Sequence, residues 1–314
     1  MATRRQSIIL KTRHAVIEEE EIKAVQYHNI VGGAGVRLRA VENGNPSGPA
    51  ILFIHGWSQS HLSWLRQLNS RLRENFRLVA IDLRGHGESD RPRDGYGASE
   101  LWADDIQAVI EALSLERPIL SGWSYGGLII NDYVRHHGQE RLGGIHYVGA
   151  ATDLGIETSY NFLGAAWNGL LPGQDGSVSG TVFSEDAAEA ATAMRTFLRG
   201  CFSAPLPIEE EMLMLGFNLA CPPYVRLELF KRTLQNDAVL EMIRVPVLIS
   251  HGNADAVIDI QTARHIASRV RHATVSVYDG VGHAPFWEEA DRFNRELAEF
   301  ASARDETRRA SRSA

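Results

Sequence analysis

Gly122-Trp123-Ser124-Tyr125-Gly126 is a G-x-S-x-G pentapeptide set between an apolar run, Pro118 to Ser121, and a helix-like run, Leu128 to His136. Strand, sharp turn, helix is the context in which such a serine becomes a nucleophile. The turn cramps the backbone of Ser124, and glycines at 122 and 126 remove the Cβ atoms that would clash there. A plain tight turn is the blander reading of the five residues, and the flanks argue against it. A serine hydroxyl is a weak nucleophile at neutral pH. It needs a base, and the base needs a carboxylate to orient it. In hydrolases built on this turn, the chain order is serine, acid, histidine.

Both partners follow in that order, each just after a strand-like run. Asp255 lies in Ser250-His251-Gly252-Asn253-Ala254-Asp255, behind Val245 to Ile249. It is the expected acid, with Asp259 as its competitor and helix capping as the blander role. His283 lies in Gly280-Val281-Gly282-His283, behind the last apolar run, and is the expected base. Two backbone donors are expected to hold the negative intermediate. One is the Tyr125 N–H, directly after the nucleophile. The other is the Trp57 N–H, in the His55-Gly56-Trp57 loop. His55 itself reads as structural. Trp57, Trp123 and Tyr125 are the expected substrate-binding side chains, whereas Trp64, Trp102 and Trp287 read as core.

The elements that must position these groups alternate. Short apolar runs at 50–54, 78–81, 118–120, 145–148, 245–249 and 274–278 suit strands buried on both faces. Helix-period stretches fall between them at 62–72, 101–113, 128–136, 262–270 and 287–300. Alternation of this kind implies right-handed crossovers and a mostly parallel sheet. Val36 to Val41 alternates like an exposed strand, and Glu42 to Pro49 reads as a turn. The loop Asp82 to Asp90, rich in glycine, reads as a structural brace near the site. One segment breaks the rhythm. Helix-like pieces at 185–198, 208–219 and 223–234, with an apolar patch (Tyr160, Phe162, Leu163, Trp167, Leu170, Leu171), predict an inserted helical lid over 152–236. The expected organisation is an extension at 1–27, an α/β core at 28–151 and 237–302, that lid, and a frayed polar tail at 303–314.

The chain has 314 residues, 44% of them hydrophobic and 23% charged, with a formal charge of -7. That balance argues against nucleic acid, which rewards a basic face. No apolar run reaches the ~18 residues needed to span a bilayer. Arg4-Arg5 resembles the start of an export signal, but Ile8-Ile9-Leu10 is too short for its apolar region. A cytoplasmic protein is therefore expected, and Glu18 to Glu21 reads as a solvated helix face. Cys201 and Cys221 read as core thiols, with no metal-ligand spacing. A homodimer is compatible with the sequence.

Taken together, His55-Gly56-Trp57, Asp82 to Ser89, Gly122 to Gly127, Gly252 to Asp255 and Gly282-His283 resemble the α/β-hydrolase superfamily over about residues 28–302. The pattern is most similar to its cofactor-free haloperoxidase and arylesterase branch. The resemblance implies an eight-stranded, mostly parallel sheet, a Ser124-Asp255-His283 triad, oxyanion donation from Trp57, and no cofactor. Epoxide hydrolases and haloalkane dehalogenases carry an aspartate where this chain has Ser124, so their chemistry is not expected. Tyr125 also departs from the methionine or leucine common in the esterase branch. The expected function is hydrolysis of small to medium acyl or aryl esters through an acyl-enzyme, with a small-molecule ester as partner. C–C bond or lactone hydrolysis by the same triad is the alternative, and a small-molecule receptor with little turnover is a third reading.

Overall fold

The computed structural model describes residues 25–155, 162–168, 170 and 180–312. The calls on residues 1–24, on Tyr160 and Leu171, and on most of the Gly173 to Gly180 stretch lie outside these. Eight strands form one sheet: β1 (Gln26–Val31), β2 (Arg37–Gly44), β3 (Ala50–Ile54), β4 (Arg77–Asp82), β5 (Ile119–Trp123), β6 (Gly144–Val148), β7 (Val247–Gly252) and β8 (Thr274–Tyr278). Their spatial order is β1-β2-β4-β3-β5-β6-β7-β8. The first two neighbouring pairs are antiparallel and the rest parallel.

The two-residue side-chain period of a strand sends alternate residues to opposite faces. Leu52 and Ile54 enter one apolar cluster with Val79 and Ile81, packed by α1 (Ser99–Ala112) and α2 (Gly126–His137). Ile51 and Phe53 enter a second with Trp64, Phe286, Phe293 and Leu297. Covering both faces is why these strands are continuous apolar runs rather than alternating ones. Trp64, Trp102 and Trp287 are buried, as expected of core residues.

Four α-helices lie between β6 and β7 among the described residues: α3 (Ala187–Gly200), α4 (Ile208–Ala220), α5 (Pro223–Phe230) and α6 (Asp237–Met242). The helix expected at 223–234 ends at Phe230. The chain then returns to the core, where Leu234 and Leu154 exchange two backbone hydrogen bonds of 2.7 and 3.0 Å. Helices α7 (Gln261–Arg269) and α8 (Ala290–Arg312) complete the chain.

Several expectations need correction. The extension expected at 1–27 overlaps β1, which begins at Gln26. The strand read as exposed is β2, which runs on to Gly44 and sits between β1 and β4 with Leu38, Ala40 and Val41 buried. A strand hydrogen-bonded on both sides has no free edge, and alternation alone does not report that. The single helix expected at 62–72 is a 3-10 turn (His61–Trp64) and two short helices, Leu65–Leu68 and Leu72–Asn75. Ser70 Oγ accepts the Leu72 N–H at 3.1 Å, a local bond that competes with helix continuation. The helix expected at 287–300 starts as a short turn, Pro285–Glu288, and resumes as α8. The residues beyond Ser302 read as a frayed tail, yet α8 continues through Arg312.

Candidate active site

The turn between β5 and α2 holds Ser124 at φ 56°, a left-handed conformation that a residue with a Cβ enters only under strain. A Cβ at Gly122 would stand 2.6 Å from Gly126 O, and one at Gly126 would stand 2.5 Å from Ile54 O. Both glycines are therefore required by close backbone approach, as read from sequence. Gly56 plays a matching part from β3. A Cβ on Gly56 would stand 3.0 Å from Ser124 Cβ, so its absence lets the His55-Gly56-Trp57 loop pack against the serine turn.

Val148 and Gly149, at the end of β6, stand between the serine and its expected partners. Ser124 N–H donates to Val148 O at 2.9 Å. A Cβ on Gly149 would lie 3.1 Å from His283 Nδ1 and 3.3 Å from Asp255 Oδ2. Gly149 itself has φ 47°. Sequence reading missed it, though a glycine ending a buried parallel strand is a usable signal.

His283 Nδ1 donates to Asp255 Oδ2 at 2.7 Å, and both side chains are almost wholly buried. A carboxylate only accepts, so Nδ1 carries the proton and Nε2 of the neutral ring keeps its lone pair. Asp255 Oδ1 accepts the N–H groups of Val257 and Ile258 at 2.8 and 2.9 Å. Capping and orienting are thus shared by one side chain. Asp259, its competitor, bonds Gln261 N at the start of α7 instead. Burial pushes the Asp255 carboxyl up, but the attraction of His283 and the hydrogen bonds from His251 and His283 outweigh it. The net result holds Asp255 well below the usual carboxylate range. His251 was not singled out from sequence. Its Nε2 lies 2.9 Å from Ile258 O and 3.2 Å from Asp255 Oδ2.

Among the described residues, the Ser124 hydroxyl and His283 Nε2 form no hydrogen bond, and neither do the Trp57 and Tyr125 backbone N–H groups. Trp57 and Tyr125 are themselves buried. Buried N–H groups are rarely left without an acceptor.

Ser124, Trp57 and Tyr125 line a common cavity, with Leu128, Trp167 and Phe230 among its apolar walls. Residues of the insertion fix Trp57. Its Nε1 donates to Arg226 O at 3.0 Å, and Trp167, Phe197 and Phe230 rings meet it at 5.4–5.5 Å. Tyr125 faces the cavity and donates its hydroxyl to Leu229 O at 3.2 Å. Arg232 donates to the same hydroxyl at 3.2 Å and pairs with buried Asp132 at 2.6 Å. Burial pushes the Tyr125 phenol up to about 12, so it remains a neutral donor. Trp123, expected to contact substrate, is not part of the cavity wall. It packs on Phe286 and His283, and its Nε1 donates to His283 O at 2.9 Å. Successive residues of β5 face opposite sides of the sheet, which turns Trp123 away and makes it a support for the histidine loop. Glu288 supports the same loop: Oε1 accepts Gly282 N–H at 2.9 Å, and Oε2 accepts Ser203 N–H at 2.9 Å.

The brace read at Asp82 to Asp90 is made of buried polar groups. Asp82 Oδ1 accepts His61 N and Nδ1 at 2.7 and 2.9 Å. Arg84 forms a two-point pair with Asp105 at 2.7 and 2.8 Å. His55 Nδ1 donates to Gly56 O while Nε2 accepts Leu83 N–H; His86 Nδ1 donates to Arg84 O while Nε2 accepts Ser58 N–H. Each ring must be neutral to accept. Burial lowers His55 to about 4 and His86 to about 3, and His146, between Ser121 and Ser250, to about 3.

This predicts acid lability. Unfolded histidine takes up its proton near pH ~6.5. The folded rings refuse it down to about 4 for His55 and about 3 for the other two. Between those limits the unfolded chain binds more protons. The stability is thus complete above the unfolded value and lost as pH falls. Taken alone, the three rings contribute a slope of about 4 kcal/mol per pH unit below about pH 6. Urea midpoints at about pH 7 and about pH 5 check this; equal midpoints would remove these histidines as determinants of stability.

Both cysteines are free and buried; burial pushes Cys221 up to about 12 and holds Cys201 well above its ordinary value, which suits inert core thiols. Among the described residues the nearest approach to a metal-ligand set is Asp153, Asp237 and His265, with ligand atoms within 4.8 Å of one another. Asp237 already pairs with His265 and Arg269, each at 2.6 Å, so two of the three groups are committed to ion pairs. No helix among the described residues is long and apolar enough to cross a membrane.

Residues 49–290 match the family model for the alpha/beta hydrolase fold. The chain is 30% identical to a non-heme haloperoxidase of Rhodococcus erythropolis over 263 residues, 81% of this chain and 92% of that protein. It is 28% identical to a bifunctional esterase/perhydrolase of Acinetobacter calcoaceticus over 273 residues, 85% of this chain and 96% of that protein. An esterase structure from Rhodococcus sp. ECU1013 superposes with a TM-score of 0.82 at 34% identity, covering 88% of this chain and 98% of that one. With its eight-stranded sheet and these relatives, the chain belongs to the alpha/beta-hydrolase fold family, in the haloperoxidase and esterase branch.

Proposed function

We propose that this protein hydrolyses carboxylic esters, with Ser124 as nucleophile, His283 as base and Asp255 as orienting acid. The observation that carries the reading is a convergence. A strained serine and a buried Asp255–His283 pair flank Val148–Gly149, and two uncommitted buried amides stand beside the serine. The esterase relatives point to the same chemistry.

In this mechanism a rotation about the Ser124 side chain brings Oγ to His283 Nε2. Catalytic hydrogen bonds commonly tighten only when substrate binds. His283 takes the hydroxyl proton as Oγ attacks the ester carbonyl. The Trp57 and Tyr125 N–H groups hold the oxyanion. His283 then protonates the departing alcohol while Asp255 steadies the imidazolium. Water, activated by the same ring, releases the acid and restores Ser124. The segment 152–236 acts as a lid, since its aromatic rings wall the cavity and exclude water from the acyl-enzyme. The apolar walls suit small to medium acyl or aryl esters.

Trapping tests the reading. Acid quenching during turnover of p-nitrophenyl butyrate is expected to leave a butyryl group on the peptide containing Ser124, seen by mass spectrometry. Burst kinetics with the acyl mass on any other residue would overturn the assignment.

A further inference from the structure

The cavity beside Ser124 is mostly apolar; besides Ser124 and Tyr125, its polar lining residues are Thr152, Asp153 and Thr262. Thr262 Oγ1 is buried and has no hydrogen-bond partner. A threonine in a helix ordinarily bonds the carbonyl four residues back. Thr262 is only the second residue of α7, so that partner, Ile258 O, lies before the helix, and Thr262 lines the cavity instead. A buried hydroxyl without a partner is unfavourable, because it has given up its water without a replacement. A ligand group that meets it supplies that replacement.

Asp153 supplies the complementary half. Its Oδ1 accepts Asn236 N–H at 2.8 Å and its Oδ2 accepts the Thr152 hydroxyl at 3.1 Å. Each oxygen keeps a further lone pair. Among the described residues no cation pairs with it. Asp153 and Thr262 line the same cavity, and the His265 ring, one turn beyond Thr262 on α7, lies within 4.8 Å of an Asp153 oxygen. A hydroxyl is a single group able to donate to the Asp153 carboxylate while accepting from Thr262 Oγ1–H.

We infer that Asp153 and Thr262 form a hydroxyl-binding subsite, and that the preferred substrates are esters carrying a hydroxyl group away from the scissile carbonyl. This rests on Ser124 as the nucleophile. A plain hydrocarbon ester fills the apolar walls but leaves Thr262 Oγ1 unpaired and strips water from Asp153. A site built around a polar substrate group discriminates far more sharply than one that only accommodates a methylene.

Matched esters test the subsite on both sides of the scissile bond. One pair is p-nitrophenyl hexanoate and p-nitrophenyl ω-hydroxyhexanoate; the other is hexyl butyrate and ω-hydroxyhexyl butyrate. In the wild-type enzyme kcat/KM is expected to favour the hydroxylated member of at least one pair by about tenfold or more. Thr262→Val and Asp153→Asn should each pull that ratio down to within about threefold. Equal rates within both pairs in the wild type, or a preference that survives both substitutions, would overturn the subsite. Binding of the same pairs to Ser124→Ala protein, by calorimetry, separates the two claims. If that variant still hydrolyses the esters, the nucleophile assignment fails. If it is inactive and binds both members of each pair equally, only the subsite fails.

Discussion

Replacing Ser124 by alanine is expected to lower kcat for p-nitrophenyl esters by about 10⁴–10⁶-fold while leaving the fold intact. The size follows from the way these groups act as a unit. Without the oxygen there is nothing for His283 to deprotonate, and what survives is the contribution of the oxyanion donors and of binding. The fold should tolerate the change because alanine carries the same Cβ at the same strained φ of 56°. Ser124 forms no side-chain hydrogen bond among the described residues whose loss would matter. Steady-state kinetics and circular dichroism on one preparation check both halves. Turnover within about tenfold of the wild type would remove Ser124 from the mechanism.

Asp255→Asn should lower kcat by about 10⁴-fold at neutral pH, again with the fold retained. Asp255 Oδ2 accepts the His283 Nδ1 proton at 2.7 Å, which leaves the lone pair on Nε2. An amide can keep its oxygen on the Val257 and Ile258 N–H groups, now bonded at 2.8 and 2.9 Å. Its NH₂ then faces Nδ1 and favours the other tautomer. A ring protonated at Nε2 cannot accept from Ser124. The wild-type Asp255 carboxyl, held well below the usual range, stays ionised throughout the working pH. Activity lost toward acid pH must therefore arise elsewhere than in this acid. A kcat for Asp255→Asn within about tenfold of the wild type would show that another group orients the imidazole. His251, at 3.2 Å from the same oxygen, makes this substitution informative about the neighbourhood as well.

Much of the site was legible before any coordinates. A G-x-S-x-G turn between an apolar run and a helix has few physical solutions, because Gly122 and Gly126 are needed only where backbone crowds in. Asp255 and His283 each follow a strand whose continuous apolar character marks it as buried and parallel, and catalytic groups collect at that edge. That logic left Asp259 as a competitor, and only the structure pairs Asp255 rather than Asp259 with His283. It failed for Trp123, because adjacency along a strand places neighbours on opposite faces. It failed for β2, because apolar alternation reports burial of one face and is silent about hydrogen-bonding partners on either side. It failed for the helix expected at 62–72, where Ser70 bonds the backbone locally.

By itself, then, the chain set the alternation of strands and helices from β3 onward and the strained serine turn, and it offered candidates for the acid and the base. These are local matters of backbone sterics and hydrophobic period. Contacts between segments remote in sequence were decided only by the tertiary structure. Gly149 opens a gap that matters only once β6 lies between β5 and β7. Trp123 steadies the histidine loop from 160 residues away, with no sequence pattern in common with it. Burial and hydrogen-bond partnership belong to the assembled chain, and no period along the sequence encodes them.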